Sequence, residues 1–78
     1  MEMRFLPSAR RHRVGRDRAI SVIENAGPAM FIPSSDPSRS DLLLWIGLDS
    51  RGELLEVGGI WEGDRLLIIH AMPRRYRR

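Results

Sequence analysis

Three apolar runs cut by two short glycine-bearing turns constrain this chain more than any other feature. Leu42 to Leu48, Glu53 to Trp61 and Arg65 to Met72 are separated only by Asp49-Ser50-Arg51-Gly52 and by Glu62-Gly63-Asp64. Glycine in such turns supplies the positive φ that a hairpin loop needs, so the second half of the chain reads as an antiparallel meander. The doublet Gly58-Gly59 interrupts the middle run and predicts a bulge, a strong twist or the close passage of another backbone. Strict alternation in the last strand places Leu66, Ile68, His70 and Met72 on one face, with Arg65, Leu67, Ile69 and Ala71 on the other. Both sets are largely apolar, which predicts a central strand. One face then packs on a helix, and the other needs cover from a loop, a short N-terminal helix or a partner chain.

The helix is legible upstream. Ala19, Val22, Ile23 and Ala26 recur at spacings of three and four, with Ile20 beside them, so Arg16 to Ala26 carries a single apolar stripe. Gly27-Pro28 ends it, because glycine suits a left-handed cap and proline cannot continue the hydrogen-bond ladder. Before it, Met3 to Leu6 reads as a short strand, and Pro7-Ser8 offers a break and an N-cap for a helical turn through Ala9 to His12. After it, Ala29 to Ile32 reads as a short strand, and Pro33 to Ser40 as an exposed loop. The expectation is an α+β domain with one or two N-terminal helices packed on a four-stranded, mainly antiparallel sheet.

Length bounds the rest. A chain of 78 residues has room for one domain over 1–78, and one this short buries only about 60% of the surface its unfolded form exposes. There is no cysteine, which removes disulfides, thiolate metal sites and cysteine nucleophiles and fits a cytoplasmic protein. The apolar runs fall far short of the roughly 20 residues of a membrane-spanning helix, and residues 1–18 are too charged for a secretory signal, so no membrane contact is expected.

A net charge of +3 understates the electrostatics, because the signs are segregated. Residues 1–18 hold six arginines against Glu2 and Asp17, residues 74–78 hold four more, and residues 19–73 carry three arginines against eight acids. Basic ends around an acidic middle are a pattern of nucleic-acid contact, since arginines that neutralise phosphates release counterions. The last strand also runs through His70 into Arg74-Arg75-Tyr76-Arg77-Arg78. Imidazole moves protons near neutral pH and guanidinium forks around phosphate oxygens, so RNA is the leading ligand.

These strings resemble a family. Arg11-His12-Arg13-Val14-Gly15-Arg16-Asp17-Arg18-Ala19, followed by Val22 and Ile23, is similar to the K-H-G-V-S-x-x-x-A segment that leads into the second helix of BrnT-like toxins, a RelE-superfamily group of type II toxin–antitoxin systems. Ile46-Gly47-Leu48-Asp49-Ser50-Arg51-Gly52-Glu53-Leu54-Leu55-Glu56-Val57 resembles its G-x-D-x-x-G-x-L-L-x-V hairpin, and Leu67 to Tyr76 its closing strand and basic tail. The likeness covers most of the chain from Arg10 onward. It departs at Arg13, where the family has glycine, and in a short N-terminal portion without the family's aromatic-acid start. The resemblance implies a metal-independent mRNA endoribonuclease that inhibits translation, held by a cognate antitoxin in a hetero-oligomer that meets DNA only through the antitoxin.

Cleavage through a ribose 2′-OH needs a base, an acid, and cations for the charge growing on phosphate. His70, Arg74 and Tyr76 are the candidates for that chemistry; Arg10, Arg11, His12, Arg13, Arg75 and Arg77 are candidates for holding RNA. Tyr76 can also stack on an unpaired base. Trp45 and Trp61 suit core or interface packing better than base stacking, and Glu53 and Glu56 are possible general bases that more often face solvent. No glycine-rich phosphate loop, metal-ligand cluster or serine triad is present, so no metal or cofactor is expected. Two other readings stand beside the toxin: a catalytically silent module of the same fold that binds RNA or protein, and a structural subunit whose arginines meet an acidic protein.

Overall fold

The computed structural model describes residues 2–76. It contains β1 (Glu2–Phe5), a 3₁₀ turn (Pro7–Arg10), α1 (Arg16–Asn25), β2 (Met30–Ile32), β3 (Leu42–Leu48), β4 (Leu54–Glu62), β5 (Arg65–Pro73) and a closing 3₁₀ turn (Arg74–Tyr76). The class is α+β, but the sheet has five strands in the order β1-β5-β4-β3-β2 rather than four. It is mixed, because β1 runs parallel to β5 while the other ladders are antiparallel. One α-helix covers one face, and the second expected helix is the single 3₁₀ turn at Pro7–Arg10. Ser8 does not cap it; its hydroxyl donates to the Ile69 carbonyl at 2.7 Å, along the edge of β5 that β1 leaves open.

The meander forms as its turns demand. Gly52 and Gly63 take φ of +78° and +62°. Asp49 organises the first turn: its Oδ1 accepts the amides of Arg51 and Glu53 at 2.8 and 2.9 Å. β5 is central, flanked by β1 and β4.

α1 lays Ala19 and Val22 into a core with Leu55, Val57, Leu66, Ile68 and Ala71, and Ile23, Ala26, Leu43 and Trp45 pack around it. Each fully buried Val, Leu or Ile here contributes roughly 1.5–3 kcal/mol. The helix crosses so close that a Cβ on Gly47 would lie 2.8 Å from Ala26 Cβ; only glycine lets β3 pass beneath it. Trp61, on the same face, remains 47% exposed. Among the described residues, no helix is long and apolar enough to cross a membrane.

The predicted alternation of β5 fails at one residue, and the failure matters. Gly58 pairs with His70 but Gly59 pairs with Ile68, so Ile69 is an extra residue in β5. The bulge sits opposite the glycine doublet, not within it. Up to Ile68 the strand keeps its phase, with Leu66 and Ile68 in the helix-side core. Beyond Ile69 the phase flips: Ala71 pairs with Val57 under the helix, while His70 and Met72 share the other face with Gly58 and Glu56. His70 and Met72 therefore do not share a face with Leu66 and Ile68. A bulge re-aims side chains in this way, and here it carries the imidazole out of the core onto the uncovered face.

Candidate functional site

On that face, between β5 and the segment after the first 3₁₀ turn, lies an open cleft of about 530 Å³ lined by Ser8, Arg11, His12, Ile69, His70, Met72 and Tyr76. Three elements build it. The bulge presents His70, the closing 3₁₀ turn folds Tyr76 back, and the stretch leading to α1 brings His12 between them. The His12 ring lies 6.5 Å from that of His70, edge-on, and 5.8 Å from that of Tyr76. Arg13 holds the last piece in place with a left-handed backbone, φ +58°. Glycine takes such a conformation freely, whereas the Cβ of an arginine disfavours it.

Behind His70 sits a buried carboxylate. The Glu56 side chain is 1% exposed and lies 3.1 Å from His70 Nε2 and 3.5 Å from Arg74 Nη1. A carboxylate in that setting is held by cationic and N–H partners that offset its desolvation. An Nε2–H donated to Glu56 fixes the tautomer and leaves Nδ1 as the atom with a lone pair. The His70 side chain itself is 33% exposed.

A second network steadies the tail. Arg18 of α1 donates through Nε to Asp49 Oδ2 and through Nη2 to Glu53 Oε1, both at 2.6 Å. The other Glu53 oxygen pairs with Arg75, whose guanidinium lies 4.9 Å from the Tyr76 ring centre. Burial pushes the Asp49 carboxyl up, but the bonds from Arg18 and the Arg51 amide and the charges of Arg18 and Arg51 outweigh it and hold the group below its ordinary value.

The structure thus gathers His70, His12, Tyr76 and Arg11 around one cleft, with Arg74 at its back on Glu56. Arg75 is engaged by Glu53 rather than turned to the cleft. Arg10 and Arg13 line a different hollow with Phe5, Val14, Gly15 and Arg16, and Arg77 lies outside the described residues. Glu56 is buried, against the expectation of a solvated strand carboxylate. In β4 it alternates with the helix-side Leu55 and Val57 and so stands on the uncovered face; no local pattern foretells that His70 and Arg74 close over it.

No protein-family model matches this chain, and comparisons with curated proteins and with solved structures find no match.

Proposed function

We propose that this protein is a metal-independent endoribonuclease acting on single-stranded RNA, in the manner of the RelE-superfamily, BrnT-like toxins that its sequence resembles. On this reading it is cytoplasmic, its target is mRNA, and a cognate antitoxin restrains it in a hetero-oligomer. The observation that carries the reading is the meeting of two imidazoles, 6.5 Å apart, in a cleft that also holds an arginine and a tyrosine. His70 Nδ1 takes the proton of the 2′-OH as the 2′ oxygen bonds to phosphorus. The bond from phosphorus to the 5′ oxygen breaks, and a protonated His12 gives that oxygen its hydrogen, leaving a 2′,3′-cyclic phosphate and a 5′-OH. Glu56 steadies the imidazolium formed on His70, Arg11 meets the phosphoryl charge, and Tyr76 stacks on a base.

Purified protein incubated with single-stranded RNA in chelator should yield cyclic-phosphate ends, and none from a 2′-deoxy copy. His70→Ala and His12→Ala should each slow cleavage by about 10²- to 10⁴-fold. RNA left intact by the wild type, or cut by either variant as fast as by the wild type, defeats the proposal. A second reading, a catalytically silent module that binds RNA or protein, draws on the pairing of Arg74 with Glu56 and of Arg75 with Glu53; it expects salt-dependent binding without products.

A further inference from the structure

The cleft has a neighbour. On the uncovered face of the sheet an apolar groove of about 570 Å³ runs over Met30, Ile32, Leu42, Leu44 and Ile46, and Ile69 and His70 form a wall common to both hollows. Arg74 closes one end of the groove. At the other, past Ile32 and Leu42, a further hollow that also touches Ile69 leads to Arg39. We propose that this groove is a nucleobase subsite: it receives the base on one side of the phosphate whose other nucleoside lies against His12 and Tyr76. The inference rests on the phosphodiester reading of the cleft.

Three observations support a base as the occupant. A phosphodiester seated at the shared wall has a nucleoside on either side of it, and the two hollows open on either side of His70. The groove floor is aliphatic, which suits the flat face of a base and not a phosphate. Its surroundings favour an anionic strand: Arg11, Arg74 and Arg39 mark the path, and the one acid in its lining, Glu56, is 1% exposed behind His70 and Arg74. A base can lie on the sheet only when unpaired, so the subsite also selects single strands over duplex.

The test uses the whole protein and labelled trinucleotides made uncleavable by 2′-O-methyl sugars, with and without an abasic position on either side of the first internucleotide phosphate. Removing the base that enters the groove should weaken binding roughly tenfold, the usual scale for one stacked base. Leu44→Gln, a neutral change that leaves the electrostatics alone, should weaken the intact trinucleotide by a similar factor and leave the groove-side abasic one unchanged. Met30→Gln, at an edge residue that is already 51% exposed, should do the same more weakly without risk to folding. Equal binding of intact and abasic trinucleotides, or equal losses on both from Leu44→Gln, overturns the subsite. So does a groove that holds an amphipathic peptide while Leu44→Gln leaves nucleotide binding untouched. Cleavage retained without a base effect sinks the subsite alone; a base effect retained without cleavage sinks the nuclease reading alone.

Discussion

The two faces of the sheet are built from similar aliphatic residues and do opposite things. Beneath α1 the helix side is closed, with Val22, Leu55, Val57, Leu66 and Ile68 fully buried and only Trp61 and Phe31, beyond the helix, among its large exposed residues; the Gly47 contact shows how tightly α1 is pressed down. The other side has no helix; Met30, Ile32, Leu48 and Leu54 stay 41 to 57% exposed, and the polar groups of the cleft stand among them. Coverage separates the faces more than composition does, and one extra residue, Ile69, decides which of them receives His70.

Inserting one residue between Gly58 and Gly59, so that Ile69 gains a partner in the ladder, is the sharpest way to break that comparison. Unbroken alternation from Ile68 onward would then turn His70 and Met72 toward α1 and Ala71 away from it, placing an imidazole where the core has an alanine. A one-residue slip moves every later side chain to the other face, and a buried polar group without a partner adds its desolvation cost. We expect loss of cooperative thermal unfolding, or a destabilisation of several kcal/mol, together with loss of RNA binding. Ile69→Ala, which keeps the bulge, should retain both the fold and the position of His70; circular dichroism melts of the two variants make the comparison.

How much of this was legible in the sequence follows from the range of the interactions involved. The helix stripe and the turn glycines are local, and both appear where their spacing puts them. Gly58-Gly59 signalled an irregularity at the right level of the sheet, and the close passage of another backbone is met at Gly59, where a Cβ would lie 3.1 Å from the Leu67 carbonyl oxygen; the extra residue itself stands on β5, because a bulge belongs to a pair of strands and only one of them was marked. The parallel partner of β5 was not legible as such: Glu2–Phe5 pairs with Arg65–Ile68 across nearly the whole chain, and four residues carry no sign of their distant neighbour. Arg74, Arg75 and Arg77 are phosphate-clamp candidates in the sequence, whereas in the fold Glu56 and Glu53 engage Arg74 and Arg75. Charge counting along the chain cannot show which acids the fold brings under which cations.

A smaller effect separates the turn network from the core. Asp49 has a folded-state pKa below its unfolded value, so its contribution is fully present above the ordinary carboxyl range, near pH 4, and is lost as pH falls through the depressed value. Asp49→Asn should therefore lower the melting temperature at pH 7, and its difference from wild type should narrow as pH falls below the ordinary carboxyl range. A gap that stays constant down to pH 2 would show that the charge of Asp49 does not contribute. Ile68→Ala, which removes only apolar contacts, should cost about 2–5 kcal/mol with little dependence on pH.

The smallest expected effect lies at Arg13, where the uncovered face meets the path into α1. A non-glycine residue at φ +58° works against Cβ sterics that cost about 1–2 kcal/mol in the left-handed region. Glycine relieves that strain but adds freedom to the unfolded chain, which returns roughly 0.4–1 kcal/mol of the gain. Arg13→Gly should therefore raise stability by about 0.5–1 kcal/mol in urea titrations. Arg13 lines a hollow apart from the cleft, so the same variant should leave RNA cleavage within about twofold while removing one cation from long-range attraction. A fall in stability would mean that the arginine side chain, not the backbone, holds His12 in place; a large fall in cleavage with stability gained would extend the working surface beyond the cleft to the hollow beside Phe5.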